Sequence, residues 1–363
     1  MQETIIPHSM TFISIFLEEA GLFKFLASYV ARKAGSTQIS LFITFYLLTS
    51  VLTIVTSNDI VILTLTPFIC YFCKHTKINP LPYVIAEFAS ANTWSMMLII
   101  GNPTNMYLGS NAGITFVEYF KVMSLPTLCA GIIEFIIIYL LFRKSLKIKM
   151  TIFDDVEYLD NKLDTIIGLI HLIVCIILFA ISNVVGLEMW LISVCVAGSL
   201  IIYFLITRIM RKSLQKSCIL IGKSLPWALI PFLISMFVVV LALQKQGISN
   251  ELSKVLGDKN TIWTYGPASF IFSNLINNIP MSILFSTLPN FQGVEFSRAI
   301  YSSIVGSNIG AFLTPLGALA GFMFTGLLKK HEIKLTFKHF CFYGCIISIP
   351  TFLAALSVLL LVI

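Results

Sequence analysis

The chain has 363 residues, 57% of them hydrophobic and only 11% charged, with a formal net charge of +7. A soluble domain is about 45–50% apolar and about 25% charged, so a water-soluble architecture is excluded and an all-α polytopic membrane protein is indicated. No G-x-x-x-x-G-K-[ST] stretch is present, so a nucleotide-driven machine would need an ATPase partner subunit.

In chain order, Thr4–Leu17 is the first apolar span, with no basic region before it, so no cleavable signal is expected. Ala20–Lys33 mixes apolar and charged residues at helical spacing and suits a helix lying in the membrane interface. Glu18 and Glu19, at the join, read as solvated carboxylates. Ile43–Phe72 is a long apolar run interrupted by Ser57-Asn58-Asp59, and reads as a re-entrant hairpin with its tip at these residues. Cys70-x-x-Cys73 lacks partners at zinc spacing, so no metal site is expected. Glu87–Tyr107 is a discontinuous helix broken at Gly101-Asn102-Pro103-Thr104-Asn105, because Gly is permissive and Pro removes a donor. Leu125–Phe142 closes the first half and carries Glu134 mid-span.

Residues 143–164 form a polar loop. Ile166–Ser182, Met189–Ile206 and Leu225–Leu243 read as crossings, Gln246–Leu256 as a second surface helix, and Trp263–Leu288 as a second hairpin around Ser273–Asn278. Arg298–Gly326 is a second broken helix, interrupted within Ser307–Gly317, and Phe340–Val362 closes the chain. His171 and Cys175 share a helix face in one crossing, but no carboxylate joins them, so an intramembrane enzyme is not expected.

The pattern repeats at offsets of about 215 to 226 residues. "SNDIVILTLTP" aligns with "INNIPMSILFS", setting Asn58-Asp59 against Asn277-Asn278; Asn92 aligns with Asn308, and "GNPTN" with "GALAG". The expected organisation is a first repeat over 1–142, a cytoplasmic loop over 143–164 and a second repeat over 165–363. Repeats with matching Gly/Pro-interrupted segments point to a secondary transporter. If both hairpins return to the side they enter from, 19 of the 24 Lys and Arg residues fall on one side, which the positive-inside rule assigns to the cytoplasm. The repeats then have opposite orientation.

Four polar islands result. Their candidate substrate or ion ligands are Ser57, Asn58, Asp59, Asn102, Thr104, Asn105, Asn277, Asn278, Asn308, Thr314 and Gly317. Broken helices offer dipole ends and loose carbonyls, and Asn, Ser and Thr supply neutral donors and acceptors. Such a set suits a small oxygen-rich solute. Asp59, the one carboxylate in any island, is the candidate for coupling to a proton or sodium ion.

"FLEEAGLFKFLASYVARKAG" with "SNDIVILTLTPFI", and "SNLINNIPMSILF" with "GSNIGAFLTPLGALAGFMF", resemble the arsenite/antimonite permease family. That family belongs to the ion transporter superfamily, with the dicarboxylate/citrate carriers and sodium/proton antiporters. The resemblance implies an inverted-repeat fold with two re-entrant hairpins and two discontinuous helices around one site. On the family pattern Asn58, Asp59, Asn102, Asn277, Asn278 and Gly317 fall at site-forming positions, with Thr314 close by. The chain departs from the pattern at Gly101-Asn102, where a Ser-Asn pair is expected, and at Asn308, where an acidic residue is common. Two N-terminal helices are also missing relative to the internal symmetry.

The expectation is a multi-pass cell-membrane protein moving a small anion or oxyacid, with proton-coupled efflux the mode implied by an arsenite-type permease. Alternatives are a sodium- or proton-coupled carrier of di- or tricarboxylates or other anions, a sodium/proton antiporter and, remotely, a channel. No cofactor is expected beyond the coupling ion. The resemblance also implies a homodimer as a possible assembly, and no nucleic-acid partner.

Overall fold

The structure, a computed structural model, describes residues 2–33, 37–148, 159, 161–211, 229–288 and 291–363. Residues 149–158 and 160 of the loop, and the basic stretch after Arg211, lie outside these residues. Among the described residues every regular element is helical. Five helices there are long and apolar enough to cross a membrane.

The first half runs α1 (Gln2–Glu19), α2 (Leu22–Lys33), α3 (Gln38–Val55), α4 (Asn58–His75), α5 (Leu81–Trp94), α6 (Pro103–Asn111) and α7 (Phe116–Phe142). After α8 (Lys162–Val185) and α9 (Met189–Met210) the same order returns. It comprises α10 (Leu229–Lys245), α11 (Ile248–Leu256), α12 (Thr261–Ile276), α13 (Asn278–Phe285), α14 (Val294–Gly310), α15 (Leu319–Lys330) and α16 (Phe337–Val362).

Both hairpins return to the end from which they start. Tyr83, in the first turn of α5, donates its hydroxyl to Gln38 Oε1 at the first residue of α3 (2.9 Å). In the second half the first residue of α12, Thr261, donates its amide to Glu295 Oε2 near the start of α14 (3.0 Å). By length α3 could cross a bilayer. The tip residues Thr56, Ser57 and Asn58 are all buried, and Asn58 meets Asn92 inside the protein.

The broken helices run in opposite directions. The loop after α4 and the segment after α15 share one cleft, lined by Lys74, Asn79, His331 and Lys334. At the other end Asn111, closing α6, reaches the Ser286 carbonyl after α13 (3.5 Å). Each hairpin's second helix packs on the other half's broken helix, α4 on α15 and α13 on α6, while α7 packs along α16. Phe88 stacks on Phe324 at 4.5 Å between ring centroids, joining the two halves in one apolar core.

Three expectations need correction. The first break begins earlier than Gly101: α5 ends at Trp94, a 3-10 turn covers Ile99–Gly101, and Pro103 already opens α6. Pro at the first helical position is pre-organised to start a helix, so "GNPTN" restarts the helix and the apolar stretch before it is the irregular part. Likewise α14 runs through Gly310, and the second break is Ala311–Ala318. Glu19 is not solvated; it pairs with the buried Arg208 at 3.5 Å. Arg208 and Arg211 also bond Asp164 at 2.8 and 2.9 Å, tying the end of α9 to the start of α8.

Candidate functional site

The hairpin tips are built where the sequence supplies groups that compete with helical bonding. Thr56 and Ser57 are extended, and α4 begins when the Ser57 carbonyl accepts from the Val61 amide. In the second hairpin the Asn277 carbonyl accepts from the Met281 amide, so α13 begins at Asn278. These helix starts pair Ser57 with Asn277 and Asn58 with Asn278. Asp59 therefore faces Ile279 in the comparison, not Asn278. The one-residue difference was invisible in sequence because adjacent Asn residues satisfy either register.

Asn277 has φ 75 and ψ 152, a region open almost only to glycine and costing about 1–3 kcal/mol for other residues. Its own side chain holds it there, accepting from the Ile279 amide (3.4 Å) and donating to the Leu316 carbonyl (3.2 Å). The Asn278 amide donates to the Gly317 carbonyl (2.9 Å). The second tip is thus fastened to the second break. The first tip rests on α5, through Asn58 Nδ2 donating to Asn92 Oδ1 (3.2 Å).

The first break meets the last turn of α14 at Asn308. Its Oδ1 accepts from Ser95 Oγ and Asn102 Nδ2, both at 2.9 Å, and its Nδ2 donates to Asn105 Oδ1 at 2.6 Å. Thr104 Oγ1 donates to Asn102 Oδ1 (3.1 Å) and lies 3.2 Å from Ser307 Oγ. Asn102, Thr104, Asn105 and Asn308 therefore come together in one buried network across the halves. Thr314 belongs to a separate knot, with its amide and hydroxyl both donating to Asn274 Oδ1. Ser95 and Asn274 were not singled out in the sequence. Asn274 lies inside an island and could have been; Ser95 corresponds to Ala311 in the other half and gave no symmetric signal.

The 216-residue correspondence of the breaks is geometric as well. A Cβ on Gly101 would lie 2.3 Å from the Ser95 carbonyl oxygen, and one on Gly317 would lie 2.9 Å from that of Ala311. Both glycines let the restarting chain fold back against the end of the preceding helix.

Two side-chain oxygens at the tips are buried without a partner among the described residues, Asn58 Oδ1 and Asn278 Oδ1. An orphaned buried acceptor costs about 1–3 kcal/mol, so these are the places where a donor from a solute would be worth most. Asp59, half-buried in the first turn of α4, has no hydrogen-bond or ionic partner among the described residues. Glu87 accepts from Thr66 (2.9 Å) and leaves its other oxygen unpartnered. His171 and Cys175 do not meet: the His171 ring faces the Ile167 carbonyl, and the Cys175 thiol faces Met10.

The citrate transporter family, CitMHS, matches residues 8–306. The chain is 25% identical over 369 residues to the arsenical pump membrane protein of Escherichia coli K12, covering 96% of this chain and 83% of that protein. It is 26% identical over 373 residues to the arsenical pump membrane protein of Yersinia enterocolitica, with the same 96% and 83% coverage. It is also 23% identical over 351 residues to an uncharacterised transporter of Mycobacterium tuberculosis, covering 92% of this chain and 79% of that protein.

Proposed function

Since the chain belongs to the citrate transporter family and is a secondary anion transporter of the ion transporter superfamily, we propose that it exports arsenite or antimonite in exchange for protons. The chemistry of the islands carries this reading. Ser57–Asp59, Gly101–Asn105, Ser273–Asn278 and Ser307–Gly317 supply amides, hydroxyls and one carboxylate, and contain no Lys or Arg. A tricarboxylate buried among them would lack cationic partners, and an uncompensated buried charge is costly. Arsenite is largely undissociated As(OH)3 at neutral pH and asks only for neutral donors and acceptors. The likeness to arsenical pump proteins along nearly the whole chain supports the same cargo.

In this reading the orphaned oxygens of Asn58 and Asn278 accept from the solute's hydroxyls, one from each hairpin. Ser57, Asn102, Thr104, Asn105, Asn277, Asn308, Thr314 and Gly317 hold the tips and breaks around it. Asp59 carries the coupling proton. The re-entrant hairpins open in turn to opposite sides of the cell membrane, with the basic end near Lys74 and Lys334 in the cytoplasm. The shared cleft supports one side for both segments, and the Glu19–Arg208–Asp164 cluster joins the ends of α1 and α9 to the start of α8 as that topology requires.

Uptake into proteoliposomes under an imposed pH gradient tests the proposal. Arsenite accumulation that collapses with the gradient is expected. Gradient-driven citrate accumulation without arsenite transport would replace it with the carboxylate reading that the family description favours.

A further inference from the structure

Glu134 lies midway along α7, fully buried and remote from the tips in sequence. Its Oε2 accepts from Thr93, and its Oε1 lies 3.0 Å from the Tyr46 hydroxyl. That hydroxyl also lies 2.6 Å from the Gly131 carbonyl and accepts from Trp94 Nε1 (3.1 Å). A phenol has one hydrogen to give. A carbonyl oxygen at 2.6 Å requires that hydrogen, and the indole N–H already occupies a lone pair. With that hydrogen on the Gly131 carbonyl, a hydrogen on the carboxyl satisfies the contact with Glu134, whereas a carboxylate would have to share the one Tyr46 hydrogen with the carbonyl. Among the described residues no cation compensates the group. Among the described residues Tyr46, from α3, is the one titratable group that reaches it; α5 presents Thr93 and Trp94, and no charged group acts on it from α8 or α16.

We propose that Glu134 is a proton-binding site, occupied in this conformation, whose proton clamps α3 and α7 to the end of α5. The position gives the proton mechanical consequence. Thr93 and Trp94 are the last residues of α5 before the first break. Gly131 fits directly under the Trp94 ring, where a Cβ would fall 2.4 Å from it. Tyr46 belongs to the first hairpin, whose α3 is bonded further to α5 through Ser50–Ser90 (2.9 Å) and Thr53 to the Ala91 carbonyl (2.9 Å). When the proton passes from Glu134 to water, a bare carboxylate remains against Tyr46 with no counter-charge. Staying closed is then unfavourable, and the clamp opens until water reaches the carboxylate. Reprotonation closes it. The site therefore biases the hairpin that bears Asp59 without touching the solute. This inference deepens the proton-coupled reading, but its protonation can be measured without any substrate.

The test uses the full chain in liposomes with the three tryptophans other than Trp94 replaced by Phe. The emission of Trp94 is titrated with pH, and infrared spectra are recorded for the protonated carboxyl C=O stretch. In the parent a one-proton transition in Trp94 emission is expected, together with a buried carboxylic acid band. Glu134→Gln keeps a donor and an acceptor in the same volume; both the transition and the band should be lost. Tyr46→Phe should move the transition without abolishing it. An unchanged titration in Glu134→Gln, or a parent spectrum with no band that this variant removes, overturns the proposal. A parent that shows both signals but transports no arsenite would refute the cargo and leave the proton site standing.

Discussion

Asn58 and Asn278 each open the second helix of a hairpin, and each leaves its side-chain carbonyl oxygen buried without a partner among the described residues. On the proposed reading these two oxygens accept from the solute. Asn278→Ala should therefore leave folding nearly unchanged, since it removes an orphan, while raising the KM for arsenite. One lost hydrogen bond of about 0.5–1.5 kcal/mol corresponds to roughly a 2- to 10-fold rise. Concentration-dependent uptake and thermal unfolding of the same preparation check both halves of the statement.

Asn308 should behave in the opposite way. Asn308→Ala orphans Asn102 Nδ2 and Asn105 Oδ1 inside the core. At about 1–3 kcal/mol for each unsatisfied group, the loss is about 2–6 kcal/mol and should appear as a lower Tm. Asn308→Asp places an acceptor 2.6 Å from the Asn105 acceptor. Its stability should fall at neutral pH and recover as pH drops, because protonation supplies the missing hydrogen.

Gly101→Ala and Gly317→Ala should both impair folding, and Gly101→Ala more. The new Cβ would sit 2.3 Å from a backbone oxygen in the first case and 2.9 Å in the second. Overpacking against backbone costs about 1–3 kcal/mol or more. The yield of monodisperse protein in detergent ranks the two.

Asp59→Asn should separate exchange from accumulation. The variant keeps the size and the helix position but cannot carry a proton. Arsenite exchange across equal concentrations should persist while gradient-driven accumulation falls to background. Accumulation at the parent rate would remove Asp59 from the coupling path.

Asp164→Ala should be among the most damaging changes outside the islands. It strips the buried Arg208 of its 2.8 Å partner and leaves only Glu19 at 3.5 Å. Breaking a buried pair costs about 3–5 kcal/mol, readable as loss of Tm. The charge-neutral double change Asp164→Asn with Arg208→Met should recover part of it.

The helical character and the interruptions of the long apolar runs were legible because both are written in composition: Gly and Pro in apolar runs, and Asn pairs. Thr115 and Thr336, which cap α7 and α16 by accepting from Glu118 and His339, extend the same regularity. What stayed hidden is three-dimensional pairing. Nothing near Glu19 in the chain announces Arg208, so its ion pair could not be foreseen. Ser95 gains its role only because the first break meets the last turn of α14, bringing Asn308 within 2.9 Å. The break at Ser95–Asn102 was misplaced because apolar residues there looked helical, whereas the cap at Asn102, which accepts from the Thr104 amide, fixes the restart. Glu134 stood out as an acid in an apolar helix, but its meaning depends on a hydroxyl 88 residues away.

The fastening of the two tips is unequal. Among the described residues the first tip is held by one amide-to-amide bond, from Asn58 to Asn92. The second is held by a side-chain bond from Asn277 to the Leu316 carbonyl and a backbone bond from Asn278 to the Gly317 carbonyl. A door on one latch swings more often than a door on two. On the proposed transport cycle, the first hairpin is the one expected to open more readily, and a solute at the tips would matter most for opening the second. The difference between the two hinges would then bias which side the empty protein faces, while the gradients set the direction of net transport.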